Sequence, residues 1–413
     1  MQIVLFEDAR VDQLAPVTIG RPAFSITCAG WRLDELLRGA FGAVHAAVRP
    51  HLHDVYGADA PDSVLGDSIG GPALVVNARI APTVANLRRL EALPKSPHRG
   101  LFLQNDRVVA ALLGAGVRMP IAAGDVERTL LESPLDRHLV SDFALFEYPH
   151  DILHEHQSAF GDGLALRLAR GKFQQTNDGV FIGEGVQLGS HLVADTRQGP
   201  VVVDSGTVLG PFCYLRGPVY IGPNSRLNEH AALKDAACLS HTTKTGGEVE
   251  CTIIEPYSNK QHHGFLGHSY VGSWVNMGAG TSNSDLKNTY GTVNMTYGGA
   301  KVVTGMNFVG CFIGDYAKTA VNSSIFTGKT IGAASMVYGF VTSNVPSFVN
   351  YARSFGQITE APVDVVISMQ ARMFARRNVV QRPCDAELLR AMFERTRGER
   401  AELGELSSEP PAF

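Results

Sequence analysis

Aliphatic side chains recur every six residues through the middle of the chain. Val203, Leu209, Leu215, Ile221, Leu227, Leu233 and Leu239 form one run, and Ile313, Thr319, Ile325, Ile331 and Val337 a second, with one Thr in register. A period of six fits neither a helix face nor an alternating strand. It fits a parallel β-helix, in which three six-residue rungs make one triangular coil and the repeating apolar residue points inward. Gly210, Gly222, Gly314 and Gly332 directly follow members of the runs, where the chain has to turn. The pattern starts weakly at Ile182 and Leu188. It is interrupted over 194–200, 241–255 and 282–303, and such interruptions map to loops on one side of a solenoid, often the binding side. Open coil ends need covers. A helical stretch before the coil and two helices after it, 361–377 with an apolar stripe and 385–403, can supply them; residues 407–413 read as disordered.

A chain of 413 residues has room for more than one core. The expected division is an α/β domain over 1–140, a helical linker over 141–172, a left-handed β-helix over 173–345 and a helical tail over 346–413. A net charge of −4 argues against a nucleic-acid partner. No apolar run approaches the ~20 residues that span a bilayer, and the first residues lack a basic signal start. With six scattered cysteines that read as reduced thiols, the expectation is a cytoplasmic enzyme.

In the first domain, Ile3–Phe6 and Leu74–Asn77 read as buried strands, Trp31–Leu37 and the segment opened by Pro82 as helices, and Asn105-Asp106 as a tight hairpin. Alternating strands and helices predict an α/β layer with a partly parallel sheet. No Gly-rich phosphate loop is present. Asp8, Arg10 and Arg21 follow the first strand, beyond the carboxyl end where open α/β sheets bind ligands. They are the nucleotide-binding candidates, with a divalent ion such as Mg2+ to help them. His150 and His154 share a helix face at i, i+4 near His156. Without a third ligand in a known pattern, they read as a polar face at a domain joint.

The coil carries the other candidates. Arg216 and Lys234 lie three rungs apart and therefore stack one coil apart on one edge, a clamp for phosphate or carboxylate. His262 lies in a break between regular runs and is a general-base candidate.

These residues carry a resemblance. Gly210-Pro-Phe-Cys-Tyr-Leu-Arg216, Lys234 at the same 18-residue spacing, Lys260-Gln-His-His-Gly-Phe-Leu-Gly267 and Val275-Asn-Met-Gly-Ala-Gly-Thr281 resemble the bacterial bifunctional UDP-N-acetylglucosamine pyrophosphorylase/glucosamine-1-phosphate N-acetyltransferase family. Leu5–Asp8, Arg21-Pro22, Asn105–Ala110 and Tyr257–His268 are similar to a divergent branch described as sugar nucleotidyltransferases. The resemblance implies a nucleotidyltransferase-like domain followed by a left-handed β-helix that forms homotrimers. It places the catalytic base on His262 and the amino-sugar phosphate on Arg216, Lys234 and Asn276. Phe265 stands where the family has a tyrosine. Acetyl-CoA contacts fall on Ala279, Val321, Gly339 and Arg353. The stretch 241–255 is absent from the best-known members, and the loop 282–303 differs, so the family's second lysine has no position here.

The implied function is acetyl-CoA-dependent N-acetylation of an amino-sugar 1-phosphate, coupled to nucleotidyl transfer that makes a nucleotide sugar such as UDP-N-acetylglucosamine. Two alternatives stand beside it. One is a zinc lyase resembling γ-class carbonic anhydrase, with His263 and His268 as ligands; the other is an acyltransferase with a vestigial nucleotidyltransferase domain.

Overall fold

A computed structural model describes residues 1–120 and 125–411. The N-terminal sheet has six strands, in the order Val44–Ala47, Gln2–Phe6, Ala73–Asn77, Arg107–Leu113, Gly100–Gln104, Arg137–Leu139. The first three are parallel, and the fourth and fifth form an antiparallel hairpin. Its turn is Asn105-Asp106, both at positive φ, as a two-residue turn matched to strand twist requires. The expected helix at Pro82 begins two residues later, where the Thr83 hydroxyl caps Val84–Ala92. Arg137–Leu139 adds a sixth strand, parallel to Gly100–Gln104.

The β-helix has three faces. Face A stacks Val201–Val203, Val219–Ile221, Ala237–Leu239, Ile253–Ile254, Tyr270–Val271, Cys311–Ile313 and Lys329–Ile331. Face B runs from Val208–Leu209 to Met336–Val337, and face C from Val193–Asp195 through Phe265–Gly267, continued by Ser282–Asn283, Ser324–Ile325 and Phe340–Val341. All strand pairs along these stacks are parallel. The period-six aliphatics form one buried core inside the coil, the arrangement of a left-handed hexapeptide β-helix.

Face A is buried on both sides. Its outward residues Val202, Tyr220, Cys238, Ile253, Tyr270 and Phe312 share a core with Trp31, Phe160 and Leu164 of the N-terminal part. The helix Pro149–Arg170 therefore lies along the coil's flank instead of covering its end. His156 is fully buried there, accepting from the Ala29 amide at 2.9 Å and bonding the Ala236 carbonyl at 2.8 Å. Arg167 stacks over Trp31 at 3.9 Å and Tyr220 at 4.6 Å. The far end is capped by Gln357–Glu360, antiparallel to Val349–Ala352, with Ile358 and Leu406 packed on the coil core. The helices Val363–Ala375 and Pro383–Arg395, expected to cover that end, instead run back along the A–B corner against the N-terminal domain, where Phe374 lies 4.4 Å from Trp274 and Arg395 pairs with Asp12. Ser407, expected in a disordered end, accepts from the Glu360 amide.

The stretch 241–255 is a complete extra coil. It contributes Lys244–Thr245, Glu248–Glu250 and Ile253–Ile254 to the three faces in turn. The period test missed it because the coil is short. Cys238 pairs with Ile253, 15 residues on, whereas Tyr220 pairs with Cys238, 18 on. Gly246-Gly247 make the tight corner. A Cβ on Gly246 would meet the Gln261 carbonyl at 2.1 Å, and Gly247 has positive φ. The 282–303 interruption is an excursion carrying the hairpin Asn294–Tyr297/Ala300–Val303. It packs on the flank helix, where Tyr297 stacks on Tyr148 and its hydroxyl bonds His150.

Candidate functional site

With face A covered, the corner between faces B and C is the part of the coil most distant from the N-terminal domain. It is built from turns at left-handed φ, among them Phe212, His230, Gly280, Asn322 and Gly339. Its lower part carries a stack of His191, Phe212 and His230, with ring centres 4.9 and 5.2 Å apart. Above the Gly246-Gly247 corner comes the turn His262–Gly264, with His262 and His263 exposed.

The sequence-predicted residues continue up this corner in order. The Gly280 amide donates to the His263 carbonyl at 3.0 Å, and the Asn322 amide to the Ala279 carbonyl at 2.7 Å. Ser324 donates to Gly339, and Ser354, next to Arg353, lies against Gly339. Ala279, Val321, Gly339 and Arg353 thus form a ladder above His262. Val321 is 65% exposed, and Arg353 reaches the Ser343 hydroxyl at 2.9 Å. Asn276, exposed on face B, sits in register with Asn259 below and Lys318 above. Phe265 opens the face C strand after the His262 turn, and its ring folds over Gly267, which has no side chain to obstruct it.

Arg216 and Lys234 are direct register partners on face C, as their spacing predicted. The extra coil separates them from His262. Lys234 pairs with Glu250, and Glu250 with Gly267, so Lys234 lies two coils, roughly 10 Å, below the level of Gly267 in the His262 coil. Both cations already have carboxylate partners. Arg216 Nε donates to Asp235 at 2.7 Å; Lys234 donates to Glu248 and is 3.0 Å from Glu250. Burial works against the charge of Lys234, but the two glutamates outweigh it and raise its pKa. Glu248 and Glu250 escaped the sequence reading because their coil read as an insertion.

Lys260 was also missed. It lies in the inward column of face B, in register with Thr245, and is 2% exposed. Its Nζ donates to the carbonyls of Gly246 at 3.0 Å and His262 at 2.8 Å. Burial pulls its pKa down to about 8, against the opposing pull of Glu248. The signal was a lysine standing where the inward column calls for an apolar residue.

The N-terminal candidates behave differently. Asp8 is buried in a bidentate pair with Arg79, with Asn77 donating at 2.9 Å. Burial resists its ionisation, but Arg79 outweighs this and holds its pKa below the usual range. Arg21 is buried in the seam between the domains. It pairs with Asp315 through two nitrogens and lies 3.4 Å from both Glu255 and the Tyr270 hydroxyl. Burial opposes its charge too, but Asp315, Tyr270 and Glu255 raise its pKa well above the ordinary value. Asp8 and Arg21 are therefore both held in ion pairs within the fold. Only Arg10, half-exposed and paired with Glu147 at 2.9 Å, keeps its head near solvent. A cavity of about 530 Å³ does lie at the carboxyl ends of Gln2–Phe6 and Val44–Ala47. Its charged lining is Glu7, Asp8, Asp12, Asp125, Glu127 and Glu132 against Arg49, Arg128 and Arg395. Within that lining Asp8 has both oxygens engaged, whereas the buried Glu127 Oε1 has no hydrogen-bond partner. Among the described residues no three His, Cys, Asp or Glu side chains are grouped to hold a metal ion. His263 and His268 lie at opposite ends of Phe265–Gly267, and His268 instead bonds Asp285 at 2.8 Å.

An α/β domain sealed to a hexapeptide β-helix defines the architecture. Residues 3–169 match the family described as sugar nucleotidyl transferase. A bifunctional sugar-1-phosphate nucleotidylyltransferase/acetyltransferase of Sulfurisphaera tokodaii is 30% identical over 138 residues, 33% of each chain. The bifunctional protein GlmU of Cupriavidus pinatubonensis is 27% identical over 158 residues, 38% of this chain and 31% of that one. GlmU of Chromobacterium violaceum is 24% identical over 286 residues, 65% of this chain and 56% of its own. The chain therefore spans about a third of the first two relatives. A solved acetyltransferase domain of PglB from Neisseria gonorrhoeae aligns over 84% of this chain and 94% of its own at 9% identity. Its TM-score is 0.19, too low to carry an argument.

Proposed function

We propose that the corner between faces B and C is an acetyl-CoA-dependent N-acyltransferase site acting on the amine of an amino-sugar 1-phosphate. The attached nucleotidyltransferase-like domain would then use the product to make a nucleotide sugar such as UDP-N-acetylglucosamine. The observation that carries this reading is the ladder of Ala279, Val321, Gly339 and Arg353 rising from the His262 turn. An extended pantetheine along it brings its thioester to His262. The imidazole accepts the amine proton as nitrogen attacks the thioester carbonyl, and backbone N–H groups of the coil hold the oxyanion. The C–S bond then breaks, and the thiolate takes the proton from the imidazolium. Asn276 orients the sugar, and Arg216 and Lys234 hold its phosphate, exchanging carboxylate partners for phosphate oxygens. Reaching across the extra coil favours a site completed between copies of the chain in a homotrimer. Exposed Phe326 and Phe340 on face C are consistent with such packing.

The locked pairs of Asp8 and Arg21 favour a narrower variant, in which the first domain is vestigial for nucleotidyl transfer. One assay separates the readings: sugar 1-phosphates are screened with nucleoside triphosphates and with acetyl-CoA on the intact protein. Release of thiol without pyrophosphate supports the narrower form. Release of neither sinks both.

A further inference from the structure

A lysine inside an aliphatic coil needs a physical reason, because burying an ammonium in an apolar interior is costly unless it is hydrogen-bonded. The inward column that includes Leu209, Leu227, Thr245, Lys260, Met277, Thr319 and Val337 interrupts its apolar lining at Thr245 and Lys260, and again at Thr319, whose hydroxyl bonds that of Thr281. Thr245 Oγ1 is buried and has no hydrogen-bond partner. This polar island lies at the level of the Gly246-Gly247 corner and of the His262 turn above it.

We propose that Lys260 is a positioning residue for His262, tying the catalytic turn to the coil beneath it from inside the β-helix. The inference rests on the acyltransferase reading. One ammonium bridges two successive corners, through the Gly246 carbonyl at 3.0 Å and the carbonyl of His262 itself at 2.8 Å. The lower corner is also locked to the strand above, by the Gly246 amide donating to the Lys260 carbonyl at 2.7 Å. The His262 side chain is exposed, so the backbone at 262 is what this structure uses to fix its direction. Releasing the carbonyl lets the turn rotate. A small displacement of a general base lowers kcat without touching the pantetheine ladder above it.

The test is a double-mutant cycle on the intact protein. Lys260→Met keeps the side chain's length and suits the apolar column. It should hold the thermal midpoint at or above wild type, lower acetyl-transfer kcat about 10- to 100-fold, and leave the KM for acetyl-CoA within about twofold. In a His262→Ala background the same change should lower kcat no further, since the group it positions is gone; a purely structural role would lower both backgrounds alike. If Lys260→Met is unfolded by circular dichroism, Lys260→Gln, which keeps a donor, is read by the same criteria. Wild-type kcat in the Lys260 variant with a crippled His262→Ala overturns this inference alone. Full activity of His262→Ala, or no acetyl transfer by the wild type, overturns the acyltransferase reading and this inference with it.

Discussion

The B–C corner and the loop after the first strand were singled out on similar grounds, as polar residues where their folds usually bind ligands. They have opposite fates. At the corner, His262 and Val321 are exposed and the bonds around them are made by backbone, while Asn276 on face B is exposed and its side chain accepts from Asn259 at 3.3 Å. After the first strand, Asp8 and Arg21 are buried and doubly bonded to Arg79 and Asp315. A solenoid satisfies its backbone through its own rungs, so its corner side chains are left over for chemistry. The α/β domain must seal itself against face A, and it uses its charged loop to do so. A polar residue at a ligand-binding position is therefore a site candidate only if the fold does not need it for a joint.

The largest expected effect breaks this comparison at the open end. His262→Ala should lower acetyl-transfer kcat by about 10²–10⁴-fold with little change in the KM for acetyl-CoA. His263→Ala should change kcat only a few-fold, because its neighbours use its backbone carbonyl. Reversed effects in steady-state kinetics would move the base to His263.

At the closed end, Arg21→Ala leaves Asp315 and Glu255 buried without their cation. About 3–5 kcal/mol of stability should be lost in urea unfolding. Arg10→Ala, at a half-exposed pair, should cost less than about 1 kcal/mol. Equal small losses would mean that the seam is solvated and Arg21 is free for a ligand after all.

Lys234→Ala sharpens the comparison from within the coil. The residue is partnered like those of the seam, yet it stands on an open face. If it exchanges Glu248 and Glu250 for phosphate, the KM for the sugar phosphate should rise about 10- to 100-fold, while that for acetyl-CoA stays put. An unchanged KM for the sugar phosphate would make it a rung-to-rung ion pair only.

The coil was legible because its period is written into one inward residue per rung, and Arg216 above Lys234 followed directly from the arithmetic of 18. The extra coil escaped the same arithmetic. The Gly-Gly corner shortens it by two residues and the next corner by one, and Thr245 replaces an aliphatic in the inward column. With that coil counted, Glu248 and Glu250 lie between Lys234 and the His262 coil. The seam was not legible at all. Arg21 and Asp315 are 294 residues apart, and nothing local in either segment announces the other. Lys260 was visible as a residue beside the histidines, but its inward direction depends on the register that the short coil had hidden.

The smallest effect sets one buried base from each region side by side. His156 in the seam and Lys260 in the coil both have pKa values depressed by burial, to about 4 and about 8. Each is disfavoured in its charged form, so over its window the folded state binds fewer protons than the unfolded state, and stability rises with pH. For His156 the window runs from about 4 to its ordinary 6.5, so stability falls as the solution is acidified below neutrality. For Lys260 it runs from about 8 to 10.5, so the protein should gain stability on going from pH 8 to 9.5. Lys318, depressed to about 7, adds to the alkaline rise, and His51, at about 4, to the acid fall. Urea midpoints measured from pH 5 to 9.5 on wild type and Lys260→Met separate the contributions. The variant should keep the acid limb and lose part of the alkaline rise, and an alkaline rise identical in both proteins would show that the Lys260 ammonium is not inside the coil.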